Sequence, residues 1–119
     1  MENKKRILIV DDEEGFGDIL KLNLEAEGSY EVRVETKGRE ALRAAREFGP
    51  DLIFLDVIMP EHDGVQIALQ IKEDPLLRFI PVIFLTATVT HDDVRWQNGH
   101  DYLAKPVTLS VLTTCIENQ

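Results

Sequence analysis

The stretch Asp51-Leu52-Ile53-Phe54-Leu55-Asp56-Val57-Ile58-Met59-Pro60 decides the reading of the chain. Its four consecutive apolar residues lie between Gly49-Pro50 and Met59-Pro60, the pattern of a strand buried on both faces of a parallel sheet. Asp56 stands where that strand stops. In an open parallel sheet, ligands and chemistry collect beyond the carboxyl ends of the strands, so a carboxylate there is a candidate reactive group. Strand-end aspartates also cap turns and helices, and the neighbours of Asp56 decide between the two roles.

Towards the N-terminus, Ile7-Leu8-Ile9-Val10 forms a second buried strand that runs straight into Asp11-Asp12-Glu13-Glu14. Acids here suit the first turn of a helix or a solvated surface. Asp11 and Asp12 nevertheless precede the helix and fall on the same edge of the sheet as Asp56. The helix that follows carries Phe16, Ile19, Leu20, Asn23 and Leu24 at helical spacing and closes near Glu27-Gly28. Tyr30-Glu31-Val32-Arg33-Val34 alternates, as a strand near an edge does. Residues 38–48 read as a helix with Ala41, Leu42, Ala45 and Phe48 on one face, stopped by Gly49-Pro50.

Towards the C-terminus, the turn signal His62-Asp63-Gly64 opens a helix with Val65, Ala68, Leu69 and Ile71 on one side, which breaks at Asp74-Pro75. Pro81-Val82-Ile83-Phe84-Leu85 is a wholly apolar strand ending in Thr86. The capping pattern Thr90-His91-Asp92-Asp93, with Gly99 as a stop, predicts a short helix over 90–98. Asp101-Tyr102-Leu103-Ala104 is a brief fifth strand ended by Lys105-Pro106, and a last helix opens at Thr108 with Leu112, Cys115 and Ile116 on one face. Five strands alternating with five helices specify an α/β fold, a (βα)5 doubly wound five-stranded parallel sheet. The more polar second and fifth strands are its expected edges.

Composition narrows the function classes. At 119 residues the chain is one domain, 1–119, long enough to bury a core. An apolar fraction of 44% and a charged fraction of 29% are those of a soluble globular protein. Met1-Glu2-Asn3-Lys4-Lys5-Arg6 leads into a short strand and no apolar stretch has bilayer length, which argues against a signal peptide, an anchor or a membrane partner. The single Cys115 forms no internal disulfide and reads as a small core-facing hydrophobe, so a reducing cytoplasm is the expected compartment. A net charge of -9 argues against direct nucleic-acid binding by this domain. His62, His91 and His100 lack ligand spacing and are assigned no chemistry. Trp96 suits either the core or a partner contact.

On this architecture Asp11, Asp12, Asp56, Thr86 and Lys105 fall at the carboxyl ends of strands one, three, four and five. Three carboxylates in close quarters need a proton or a cation, and hard oxygen ligands suit Mg²⁺, which keeps several waters. A metal held by acids with open positions is a phosphoryl-binding arrangement. Lys105 adds a movable point charge, Thr86 a hydroxyl donor for the equatorial oxygens, and Asp56 a nucleophile.

Four segments carry a pattern in order: Ile7-Leu8-Ile9-Val10-Asp11-Asp12, Asp56-Val57-Ile58-Met59-Pro60 with Asp63-Gly64, Leu85-Thr86-Ala87, and Asp101-Tyr102-Leu103-Ala104-Lys105-Pro106. In these, and along essentially its whole length, the chain resembles the receiver domain of bacterial two-component response regulators. The resemblance implies a flavodoxin-like sheet of strand order 2-1-3-4-5 and a phosphorylation-activated signalling switch. Asp56 would be the phosphoacceptor, loaded from a sensor histidine kinase, a phosphotransfer protein or a small acyl phosphate. Mg²⁺ or Mn²⁺ would be held directly by Asp12, through water by Asp11, by Asp56 and by the backbone carbonyl of Ile58. Lys105 would pair with the phosphoryl group, and the Lys105-Pro106 bond would be cis. Thr86 and Tyr102 would be the switch pair, hydroxyl moving onto the phosphoryl oxygen and ring following into the vacated space. A downstream effector or fused output domain would read the change, with a homodimer on phosphorylation as one form of output.

The chain departs from the family pattern in two places. The stretch between Thr86 and Lys105 is short, and His100 stands where a small residue is common; both lie in the region that transmits the switch. The resemblance implies that Ile58 and Thr88 occupy positions that tune phosphoryl lifetime in the family. An apolar Ile58 cannot orient an attacking water, so slow self-hydrolysis is expected and turnover catalysis is not. Two other classes stay open: a phosphorylation-independent scaffold, which Mg²⁺ binding would discriminate, and a phosphatase passing through an aspartyl-phosphate, whose Asp-x-Asp motif after a strand is not present. Gln119 is either the native end of a single-domain regulator or the cut edge of a receiver from a DNA-binding regulator or hybrid kinase.

Overall fold

Strand β3 (Leu52–Asp56) is buried along its whole length, as a strand with neighbours on both sides and helices on both faces must be. Its neighbours are β1 (Lys5–Val10) and β4 (Val82–Thr86), while β2 (Tyr30–Glu35) and β5 (Asp101–Ala104) form the two edges of the order β2-β1-β3-β4-β5. Every pairing is parallel. The computed structural model describes residues 4–13, 15–57, 59, 63–86, 101–104 and 107–119. Ile58, the Lys105-Pro106 bond, the helix expected over 90–98, Thr88, the three histidines and Trp96 lie outside the described residues.

Four α-helices stand among the described residues: α1 (Phe16–Ala26), α2 (Ala41–Phe48), α3 (Gly64–Glu73) and α4 (Leu109–Glu117). Because strand side chains alternate, the sheet feeds two separate cores. Leu8, Val10, Ile53, Leu55 and Phe84 pack with Ala44, Ala45, Ile67 and Ile71 from α2 and α3. Ile7, Ile9, Phe54, Ile83 and Leu85 pack with Leu20, Leu24, Leu112 and Ile116 from α1 and α4. Full burial of Phe54 and Phe84 contributes about 2–3 kcal/mol each.

Two helices present narrower faces to the sheet than their apolar residues predict. In α1, Gly17, Leu20 and Leu24 are buried while Ile19 is 60% exposed. In α3, Gly64, Ile67, Ala68 and Ile71 are buried while Leu69 is 43% exposed. Both outliers lie roughly 140° around the helix from the buried stripe, given 100° per residue. The helix expected from Gly38 instead begins as a 3-10 turn, Gly38–Glu40, and becomes α-helical at Ala41. It ends at Gly49, whose left-handed φ of 63° lets its N–H return to the Ala45 carbonyl at 2.9 Å.

The C-terminal helix is capped by Thr108, whose hydroxyl oxygen accepts from the Val111 N–H at 3.2 Å. Its far end is tied to the sheet: Tyr30 donates its hydroxyl to Glu117 at 2.7 Å, and Lys5 Nζ donates to the Ile116 carbonyl at 3.2 Å. Burial first, then the hydrogen bond and charge of Glu117, push the Tyr30 phenol up to about 12. The raised value means that this contact contributes fully below the ordinary tyrosine value near 10 and is lost as pH rises through about 12. Ultraviolet titration of the two tyrosines should therefore show one late tyrosinate step, which Tyr30→Phe removes. Retention of that step in the variant would assign it to Tyr102.

Candidate metal centre

The β1–β3 register sets Val10 beside Leu55, so the next residue of each chain segment, Asp11 and Asp56, reaches the same level at the carboxyl end of the sheet. From this pair of strands the connections leave in opposite directions, β1 towards β2 and β3 towards β4. Such a reversal opens a crevice beyond the strand ends.

Asp11 is fixed from two sides. Its N–H donates to the Glu35 carbonyl of β2 at 3.0 Å, and its Oδ1 accepts from the Glu13 N–H at 2.9 Å. Asp11 is fully buried, Asp56 is 6% exposed and Asp12 is half-buried. Each of the three offers a carboxylate oxygen, and these oxygens lie within 4.8 Å of one another. Full charges at that separation repel by about 3–4 kcal/mol per pair at an effective dielectric near 20. A small divalent cation turns the repulsion into attraction. The donor set is all oxygen, anionic and partly open to water, which fits Mg²⁺ or Mn²⁺ and not a soft metal.

The far side of the site is held by α3. Val57 N–H donates to the Leu85 carbonyl at 3.0 Å, and Gly64 N–H donates to the Val57 carbonyl at 2.9 Å. Asp63 caps the helix, its Oδ1 accepting from the Val65 N–H at 2.9 Å. Helix and strand end approach so closely that a Cβ on Gly64 would overlap the Asp56 carbonyl oxygen and come within 2.8 Å of Val57 Cα. The Asp63-Gly64 pair is thus a cap followed by an obligatory glycine, which places α3 directly against the acid.

Of the residues singled out from the sequence, Asp11, Asp12 and Asp56 come together. Thr86 closes β4 one residue beyond Leu85, the register partner of Asp56, and its backbone pairs with Ala104. Tyr102 pairs with Phe84 in the same ladder. Lys105 follows β5 directly in the chain but, like Ile58, lies outside the described residues. The Glu13 amide and the Glu35 carbonyl, which hold Asp11, carry no side-chain signal and were not foreseen. The capping role of Asp63 was readable from Asp before Gly at a helix start.

Comparison with known proteins gives a consistent result. The sequence pattern of the response regulator receiver domain matches residues 7–117. The alkaline phosphatase synthesis transcriptional regulatory protein PhoP of Bacillus subtilis is 40% identical over 105 residues, covering 86% of this chain and 42% of that protein. The chain therefore spans less than half the length of that relative. The polar-differentiation response regulator DivK of Brucella ovis is 37% identical over 108 residues, covering 88% of this chain and 87% of its own length. A crystal structure of a response regulator from Desulfuromonas acetoxidans superposes with a TM-score of 0.85 at 27% identity, covering 96% of this chain and 94% of that one. No helix among the described residues is long and apolar enough to cross a membrane.

Proposed function

The chain belongs to the response regulator receiver domain family, and from that premise we propose that it is a phosphorylation-driven switch whose acceptor is Asp56. Receiver domains act as signalling switches in two-component systems, generally without turnover catalysis. One observation carries the specific reading: three carboxylates, Asp56 among them, converge within 4.8 Å where the strand order of a parallel sheet reverses.

The chemistry follows from the groups at that edge. A bound Mg²⁺ supplies charge neutralisation for the acids and the incoming phosphoryl oxygens. Asp11 and Asp12, with the Ile58 carbonyl, are the ligands proposed beside Asp56. An oxygen of the Asp56 carboxylate forms the new bond to phosphorus while the bond to a kinase imidazole nitrogen, or to the acyl oxygen of a small donor, breaks with its electron pair. The Lys105 ammonium and the Thr86 hydroxyl donate to the equatorial oxygens. Thr86 and Tyr102, set in adjacent strands, form the proposed relay to a partner surface, and an effector or fused output domain reads it. A sensor histidine kinase or phosphotransfer protein is the donor, the compartment is the cytoplasm, and loss of the phosphoryl group is slow.

Intact mass spectrometry after incubation with acetyl phosphate tests this reading. One added phosphoryl group, in the presence of Mg²⁺ and not in its absence, is the expected result. No gain together with no Mg²⁺ binding would leave a scaffold with a receiver fold. Steady release of phosphate from a phosphate monoester would instead establish a phosphatase.

A further inference from the structure

β2 is an edge strand, and an edge strand turns alternate main-chain N–H and C=O groups away from its one neighbour. Lys5 N–H donates to the Ser29 carbonyl and Asp11 N–H to the Glu35 carbonyl, both at 3.0 Å. Glu31 and Arg33 share that alternation, so Tyr30, Val32 and Val34 direct their main-chain groups outward. The central one is covered. Glu25 Oε2 of α1 accepts from the Val32 N–H at 3.0 Å, and Lys21 Nζ donates to the Val32 carbonyl at 2.8 Å. The two side chains, one helical turn apart, are themselves an ion pair at 3.3 Å. Together they occupy both groups that an added strand needs at the middle of the edge. The Val32 N–H is also the main influence holding the Glu25 carboxyl below the ordinary glutamate value, so its acceptor stays ionised.

What this edge would accept is written in its own sequence. If two β2 strands pair antiparallel about a two-fold axis through Val32, then Glu31 stands opposite Arg33, Tyr30 opposite Val34 and Val32 opposite its own copy. Every outward-facing residue then falls at a hydrogen-bonded position of the ladder, and the opposite charges fall at the closer, non-bonded positions. In the single chain Glu31 pairs with Arg6 and Arg33 with Glu47, all substantially exposed. Exchanging such exposed pairs for cross-strand ones costs little.

We infer that β2 is a self-complementary edge which the Lys21 and Glu25 side chains hold closed, and that opening this clip lets two copies of the chain join through β2 into one continuous sheet. The clip acts as a guard on the monomer, lying on the opposite flank of the sheet from β5.

The double variant Lys21→Ala/Glu25→Ala tests it, without phosphodonor, by sedimentation and amide hydrogen exchange over rising protein concentration. Alanine favours the helix, and circular dichroism checks that the fold is kept. The expected result is a shift from 13.5 kDa to twice that mass, with the Tyr30 and Val34 amides exchanging at least about tenfold more slowly in the dimer. In the parent these two amides stay unprotected at every concentration. Glu25→Gln keeps an acceptor for the Val32 N–H and should behave as the parent. A double variant that remains monomeric overturns the inference, as does association that leaves Tyr30 and Val34 unprotected or association of Glu25→Gln. If the double variant fails to fold, the single Glu25→Ala variant, which frees the Val32 N–H alone, is read by the same two measurements.

Discussion

Asp56→Asn is expected to abolish covalent phosphoryl uptake and, at the same time, to stabilise the metal-free protein. Asparagine keeps the shape of aspartate and one of its acceptor oxygens, so the buried end of β3 retains its packing. It has no carboxylate oxygen to bond phosphorus. Incubated with acetyl phosphate and Mg²⁺, the variant should show no added phosphoryl group by intact mass, where the parent gains one. The stability effect has the opposite sign because two of the three repulsions within the 4.8 Å cluster disappear with the charge. Each is worth about 3–4 kcal/mol before water reaches the half-buried Asp12, and screening there brings the net gain down to about 1–3 kcal/mol. Urea unfolding in chelator measures it. Mg²⁺ should then stabilise the parent more than the variant, closing the gap between them. A variant less stable than the parent in chelator would mean that Asp56 is held by favourable contacts and not strained by its neighbours. Continued phosphoryl uptake would move the acceptor to another residue.

The three-acid cluster itself is legible in the sequence, for a reason that lies in the strands. Asp11 and Asp56 each end an uninterrupted apolar run, and a parallel sheet necessarily brings all such ends to one edge. Strand identity and the two edge positions followed from the same contrast, four apolar residues in β3 against the alternation of β2. Helix faces were less legible. Ile19 and Leu69 are apolar residues of α1 and α3 that lie roughly 140° from the buried stripe, beyond the arc that the sheet touches, and that arc depends on how the helix sits. Contacts that end on the main chain were not legible at all. The Lys21 and Glu25 spacing announces an ion pair on a helix, but nothing in it announces that the pair reaches the Val32 N–H and carbonyl. The Glu35 carbonyl that fixes Asp11 is equally silent, because every residue has one.

Gly64→Ala sets two of these levels against each other. Helix propensity favours alanine over glycine by about 1 kcal/mol, so the local rule predicts a more stable α3. The added Cβ, however, would meet the Asp56 carbonyl oxygen and stand 2.8 Å from Val57 Cα. Both are main-chain atoms of the strand end, with no rotamer to move aside. Overpacking costs about 1–3 kcal/mol where side chains can yield, and more where the backbone must shift, so sterics outweighs propensity by about 2 kcal/mol. The shift has only two directions: α3 retreats, stretching the 2.9 Å bond from Gly64 N–H to the Val57 carbonyl, or the end of β3 moves and carries Asp56 away from Asp11. Either displaces the segment that runs from Asp56 to α3. Expected results are a lower urea midpoint and a Mg²⁺ affinity reduced by about tenfold, equivalent to 1.4 kcal/mol. Gln66→Ala, on the exposed side of the same helix, should leave both unchanged. Loss of stability with full Mg²⁺ affinity would show that α3 alone yields; unchanged stability would show that the close approach is not a constraint. Because the first residue of α3 touches the carbonyl of the acid itself, the packing of that helix and the placement of Asp56 are a single constraint.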